Sequence, residues 1–202
     1  AVVEVSSYQL AFPNGFHPAA AALLNVTPDH LKRHKTVENY AAIKRRIFAE
    51  LTADDLAIVH ASSTSKLHLH PDHSNTKVRW LDRRPGAVIE GTTLSFSDQG
   101  NRSIDLSNVQ LIGSHNLSNL AAAIMMVEHI GVSIQDLDLS QITPLEHRLE
   151  PCSTHKSARW INDSKATNVE ATIAALKGIK TQLSPQCHLH LLLGGQGKLN
   201  AD

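Results

Sequence analysis

Apolar and polar positions alternate along the chain in two different rhythms. Residues 2–5 and Ala19–Val26 are near-continuous apolar runs and read as buried strands of a parallel sheet covered on both faces. Ser6 opens a short helix through Leu10, and Pro13-Asn-Gly15 is a turn. Thr36 suits the N-cap of a helix from Val37 to about Leu51, and Asp55–His60 is a third strand. Residues 61–76 are polar and irregular. Lys77–Leu81, Ala87–Ile89 and Thr92–Phe96, with Gly and Pro between them, predict a small antiparallel annex. A helix follows from Ser114 to Ile130, with the stripe Leu117, Leu120, Ala121, Ile124 and Val127, and Gly131 ends it. Ile134–Ile142 reads as a shorter helix and Thr143-Pro144 as a linker. Beyond it come strands at Arg148–Cys152 and Ala158–Ile161, a helix from Val169, and a strand at His188–Leu193. Strands alternating with helices predict an α/β fold in two parts, 1–143 and 144–202.

The most polar handover from strand to helix is Trp160-Ile-Asn-Asp-Ser-Lys-Ala-Thr-Asn168. Helix N-termini offer free N–H groups and a favourable dipole to anions, so ligands collect at such turns in α/β proteins. Asn168 or Thr167 can cap the helix. A capped turn needs only one such residue, and does not need an Asp and a Lys two positions apart. Lys165 is electrostatically out of place at a helix N-terminus unless an anion is bound there.

Composition narrows the function classes. The 202 residues are 42% apolar and carry 19 basic against 19 acidic side chains, which argues against a nucleic-acid or membrane surface. No apolar run approaches membrane-spanning length. Cys152 and Cys187 are too few for a disulfide framework or a zinc site, and read as buried thiols of a reducing compartment. His68, His70 and His73 alternate in a polar region without Cys or Glu partners and read as a solvated loop.

Two further groups of residues have chemistry to offer. Glu4 ends one apolar strand and His30 follows the next, so both emerge at one sheet edge. Metal binding would explain them, but Mg²⁺ prefers oxygen, and a turn cap plus a helix start explain them equally. Lys44 occupies the buried spacing Val37, Tyr40, Ala41, 44, Ile47, Phe48, Leu51, while Arg45 and Arg46 point away. A lysine there either snorkels to solvent or loses charge through desolvation. Asn116 and Asn119 lie on the first turns of their helix, where capping alone would account for them.

Several of these stretches resemble the Mur ligase family. Asn162-Asp-Ser-Lys-Ala-Thr-Asn168 is similar to the signature of its branch that adds D-glutamate to UDP-N-acetylmuramoyl-L-alanine. Glu4-Val-Ser-Ser-Tyr-Gln-Leu10, Asn25-Val-Thr-Pro-Asp-His30, Gly113-Ser-His-Asn-Leu-Ser-Asn119 and Glu146-His-Arg148 agree with the family in the same order. The resemblance implies the rest of a P-loop-type ATPase domain over 1–143 and the first half of a Rossmann-like domain over 144–202. It implies a cytoplasmic, monomeric ligase of peptidoglycan synthesis, using ATP and Mg²⁺, with no nucleic-acid partner and no membrane insertion.

The resemblance also implies roles. Glu4, His30 and a carbamylated Lys44 would bind a second Mg²⁺, with His30, Lys44, Lys165 and Lys198 the catalytic set. Asn116 and Asn119 would face adenine, Arg148 the ATP at the domain junction, and Asp163 the ribose. Thr167 and Lys198 would meet D-glutamate and the acyl-phosphate, and Ser7 and Gln9 would support the muramoyl-peptide side. Against the family pattern the sequence lacks the uridine-nucleotide domain, the phosphate loop and the far half of the last domain. Gly194-Gly-Gln-Gly-Lys198 has the wrong spacing for a phosphate loop, so a fragment inactive by itself is expected. Folylpolyglutamate synthases share the implied architecture, but the Asn162–Asn168 motif argues against them. A non-catalytic nucleotide-binding or assembly module is the other alternative.

Overall fold

The computed structural model describes residues 1–61, 67–71, 76–97, 102–155 and 158–195. The chain forms two compact units, Ala1–Ser107 with Ser118–Leu137, and Asn108–Leu117 with Asp138–Asp202.

The first unit is built on one six-stranded sheet in the order β1 (Ala20–Leu23), β2 (Leu56–His60), β3 (Lys77–Leu81), β4 (Gly86–Glu90), β5 (Thr93–Phe96), β6 (Arg102–Asp105). β1 to β4 pair in parallel and β4 to β6 antiparallel. The sequence placed Lys77–Leu81 in a separate annex. Instead β3 joins the parallel sheet through Leu56↔Lys77 to His60↔Leu81, and the antiparallel strands extend the same sheet. Gly86, at φ 145°, enables the sharp return from β3, because a Cβ there would overlap the Trp80 backbone.

Helices α1 (Ser7–Leu10) and α3 (Val37–Arg45) follow extended N-cap residues, while α2 (Leu31–His34) follows the left-handed His30, and the caps of α1 and α3 are those the sequence suggests. Ser6 and Gln9 form a capping box on α1, and Thr36 caps α3 through the Asn39 N–H. A 3-10 turn, Arg46–Phe48, then tightens the end of the expected longer helix. Ala41, Phe48 and Leu51 pack with Ala21, Leu23, Ala57 and Val59 of β1 and β2 in one buried cluster. By strand alternation Leu56 and Ile58 point to the opposite face, and both are buried. Helix α4 (Ser114–His129) buries Leu120, Ala121, Ile124 and Met125 and stops at Gly131, whose N–H bonds the Glu128 carbonyl.

The second unit holds the hairpin β7 (Glu150–His155) and β8 (Ala158–Asn162) and helix α5 (Val169–Lys180). Leu149, Ala175 and Ile179 form its small core, with Ile112, Ile161 and Leu183 packed against it. Gly178 lies against Gly113, where an added Cβ would come within 2.8 Å of the Gly113 Cα.

Four expectations are corrected. Residues 2–5 and 188–193 are not strands, and Val2, Val3, Leu191, Leu192 and Leu193 are exposed. Neither run has a neighbouring strand among the described residues, and a strand needs a hydrogen-bonding partner. Residues 134–142 form two 3-10 turns, Ile134–Asp136 and Leu139–Gln141, each capped by the Ser or Asp before it, in place of one helix. Cys152 and Cys187 are exposed, the first on a hairpin open to solvent and the second in the turn region after α5.

Candidate functional site

In the first unit, the loops after β1 and around α1 to α3 gather a polar group. Glu4 is exposed just ahead of α1. His30 takes a left-handed conformation, φ 55°, at the start of α2, and its N–H donates to Asp29 Oδ1 at 2.8 Å. Its ring meets Tyr8 and Tyr40 edge-on, with centroids 5.6 and 6.1 Å away. Lys44 Nζ lies 5.4 Å from the Tyr40 centroid. Burial lowers the Lys44 pKa, and the charges of Glu4 and Asp29 partly oppose that. The structure therefore brings Glu4 and Asp29 within electrostatic range of Lys44, with the His30 and Lys44 side chains both beside Tyr40.

Ser7 is not a surface residue. It is buried, and its hydroxyl shares a 3.0 Å hydrogen bond with His34 Nε2. Ser7 thus faces inward and reaches its surroundings through His34. Gln9 Oε1 accepts from the Ser6 N–H and hydroxyl. His34 is held below its ordinary pKa by burial, and further by the charges of Arg33 and His30. Burial raises the Tyr40 phenol, as does the Asp29 charge. Sequence reasoning did not single out Asp29, His34 or Tyr40 as functional. Tyr40 sits four positions before Lys44 on one helix face, a legible signal. His34 has no such signal, because its partner Ser7 is 27 positions away.

In the second unit, the Glu146-His-Arg148 turn is laced to the polar turn before α5. Asp163 Oδ1 accepts the Leu149 N–H at 3.0 Å, and the His147 carbonyl accepts the Lys165 N–H at 3.0 Å. Asn162 Nδ2 and His147 Nδ1 are 2.8 Å apart, and Asn162 Oδ1 accepts the Ser164 N–H. His147 and Leu149 hold positive φ, 66° and 48°. Non-glycine residues rarely adopt that conformation, so these bonds hold a strained turn in place. Arg148, Lys165 and Thr167 are exposed around it. Asn168 Oδ1 accepts the Ala171 N–H at 2.8 Å, which makes it the cap of α5 and leaves Thr167 uninvolved in capping.

His115 belongs with this group, although the sequence reading passed over it. Burial lowers its pKa, the Asp163 charge raises it and the Arg148 charge lowers it. A hollow of about 280 Å³ opens beside it, lined also by Ser114, Glu170 and Lys177. Asn116 Nδ2 donates to the Ile112 carbonyl at 2.8 Å and so ties down the chain ahead of α4. Asn119 is exposed one turn further on. Lys198 lies outside the described residues, as does His73. No helix among the described residues is long and apolar enough to cross a membrane.

The chain is similar to known proteins in sequence and in fold. Residues 1–127 match the Mur ligase middle domain. The chain is 38% identical to the UDP-N-acetylmuramoylalanine--D-glutamate ligase of Koribacter versatilis (strain Ellin345), over 98% of the chain and 44% of that protein. It is 36% identical to the protein of the same name from Lachnospira eligens, over 96% of the chain and 43% of that protein. The chain thus spans less than half the length of these curated relatives. Among solved structures it resembles MurF from Acinetobacter baumannii with a TM-score of 0.65 at 19% identity, covering 82% of this chain and 38% of that one. It also resembles MurF ligase from Thermotoga maritima in complex with ADP, with a TM-score of 0.63 at 16% identity, over 85% and 41%. An FPGS-AMPPCP-folate complex gives 0.57 at 19%, over 85% and 44%, so the architecture is shared with that group as well. A mostly parallel sheet with its flanking helices, the sequence match across residues 1–127 and the extended identity beyond them lead to one conclusion: the chain belongs to the Mur ligase family.

Proposed function

We propose that the chain is part of an ATP-dependent ligase that adds D-glutamate to UDP-N-acetylmuramoyl-L-alanine in peptidoglycan synthesis. The support in sequence is its identity to relatives bearing that name. The observation that carries the reading in the structure is the Asp163–Leu149 hydrogen bond, which holds the Arg148 turn against the turn bearing Asp163 and Lys165. Two motifs far apart in sequence so form one group with a carboxylate and two cations.

The reaction joins a carboxylate to an amine in two steps. The alanine carboxylate attacks the γ-phosphate of ATP, expels ADP and gives an acyl-phosphate. The D-glutamate amine then displaces phosphate and forms the amide. Both steps bring anions together, and positioned cations offset the repulsion. In this reading Arg148 and Lys165 meet phosphate or carboxylate, Asp163 accepts the ribose hydroxyls, and Asn116 and Asn119 border adenine. Thr167 and Lys198 meet the incoming D-glutamate, and His30 faces the reacting carboxylate.

Mg²⁺ would be held by Glu4, His30 and Lys44. The described residues hold no group of three or more His, Cys, Asp or Glu side chains arranged for a metal. The set fits Mg²⁺ only if Lys44 supplies an oxygen donor. Burial lowers the Lys44 pKa, and when deprotonated the amine would add CO₂ and release a proton to give a carbamate, an oxygen ligand that suits Mg²⁺. The ion would supply charge neutralisation between phosphate and carboxylate.

The test is phosphate release by the complete enzyme with ATP, UDP-N-acetylmuramoyl-L-alanine and D-glutamate. The expected result is release that requires both acceptors and a product heavier by one glutamate residue. Turnover with a folate and L-glutamate instead would favour the folylpolyglutamate synthase alternative. ATP binding without turnover on either set would favour a non-catalytic module.

A further inference from the structure

Glu4 lies just ahead of α1 and Lys44 on α3, and only packing between α1 and α3 sets their separation. A buried line of contacts runs between those elements. Ser7 Oγ and His34 Nε2 share their 3.0 Å hydrogen bond inside the unit. The His34 ring stacks on Tyr40, with 5.1 Å between centroids and 29° between planes. The Tyr40 ring has Lys44 Nζ 5.4 Å from its centroid. Ser7, His34 and Tyr40 are 3%, 5% and 7% exposed, and His34 also borders an open hollow of about 500 Å³. Tyr8 closes the other side, edge-on to His34 at 6.0 Å.

Packing alone does not call for this arrangement. A leucine or phenylalanine would fill the His34 volume without needing a polar partner, whereas a buried imidazole and hydroxyl are costly unless they find each other. What the polar pair adds is direction. The hydrogen bond orients the imidazole, the stacked imidazole packs the Tyr40 ring, and that ring borders the end of the Lys44 side chain.

We propose that His34 is a positioning residue of the ligase. Anchored by Ser7 and stacked on Tyr40, it sets the Tyr40 ring and so holds the Lys44 amine in place relative to Glu4 and Asp29. The proposal rests on the reading of Lys44 as a reaction-site group. His34 touches no substrate in it, and Ser7 acts only through His34.

The test uses the complete enzyme labelled with ¹³C at the lysine ε-carbons, the Lys44 resonance being identified by its loss in Lys44→Arg. The Tyr40 ring current displaces that resonance. The displacement is expected to persist in Tyr40→Phe, which keeps the ring, and to vanish in Tyr40→Leu and His34→Ala. In those last two, kcat is expected to fall about 10- to 100-fold, with KM for ATP and D-glutamate nearly unchanged. If His34→Ala does not fold, Ser7→Ala and Tyr40→Leu read the same line, with a smaller displacement change in Ser7→Ala. A folded His34→Ala enzyme with wild-type resonance overturns the proposal, as does one whose activity falls only with its folded fraction. A fully active Lys44→Ala enzyme overturns instead the reading of Lys44 on which the proposal stands. The two failures are therefore separable.

Discussion

The Asp163 carboxylate accepts the backbone N–H of Leu149 at 3.0 Å, joining positions 14 apart in the sequence. Leu149 is in the small core of its unit, so the bond anchors a polar turn to a buried side chain. The structural bond occupies Oδ1 and leaves Oδ2 for a second partner. That division makes the two roles of Asp163 separable.

Asp163→Ala is expected to destabilise the fold by about 1–3 kcal/mol, because the Leu149 N–H loses its part-buried acceptor. It is also expected to raise the KM for ATP by about ten- to a hundredfold if the carboxylate holds ribose. Asp163→Asn keeps an acceptor oxygen, and should retain most of the stability while still raising the KM. Urea denaturation and ATP titration of both variants check this. An unchanged KM in both would leave Asp163 as a structural pin alone.

Lys44→Ala is expected to abolish most turnover at little cost in folding, since a half-buried lysine stabilises weakly. Acetate or formate should restore part of the activity by replacing the lost carboxylate. The ¹³C signal of wild-type enzyme equilibrated with labelled bicarbonate should show a carbamate at Lys44. Arg45→Ala, whose Nη1 donates to the His68 carbonyl at 3.3 Å on the exposed side, should leave kcat near wild type. A free amine at Lys44 together with a fully active Lys44→Ala enzyme would remove the metal reading.

Glu128 on α4 is 7% exposed at its side chain and pairs with Arg102 on β6 and, at 4.0 Å, with Arg79 on β3. Both guanidinium groups also lie over the Phe96 ring. Glu128→Ala removes the buried carboxylate that both guanidinium groups face and is expected to cost about 3 kcal/mol. Glu128→Leu with Arg102→Leu should recover part of that loss. A double-mutant cycle in urea measures both. A Glu128→Ala loss below about 1 kcal/mol would mean that water reaches the pair.

Asp55 is held down to about 2 by hydrogen bonds from His17 and Thr52. Its folded pKa lies below the unfolded value, so its contribution is complete above about pH 4 and is lost as pH falls from about 4 to 2. The His17 side chain is 51% exposed, so solvent screens the pair. The contribution is expected to be about 1 kcal/mol. Stability of wild type against Asp55→Asn should converge across that window. Parallel curves between about pH 2 and 5 would show that the pair contributes nothing.

Local physical chemistry was enough for most elements. Ser6, Thr36 and Asn168 cap helices because a short polar side chain before an amphipathic run can reach the free N–H groups. The buried face of α3, with Lys44 among apolar neighbours, was readable from spacing alone. The shared motifs also pointed to the family before any geometry was available.

What the sequence left open depends on neighbours distant along the chain. The apolar runs at 2–5 and 188–193 look like strands, but a strand exists only where another edge pairs with it, and none does so here among the described residues. β3 looks like an annex strand, yet its place in the parallel sheet is set by β2. The Ser7–His34 bond and the Asp163–Leu149 bond link turns that no local pattern connects. Only folding brings those groups within 3.0 Å, because a hydrogen bond of that length depends on tertiary placement and not on residue type.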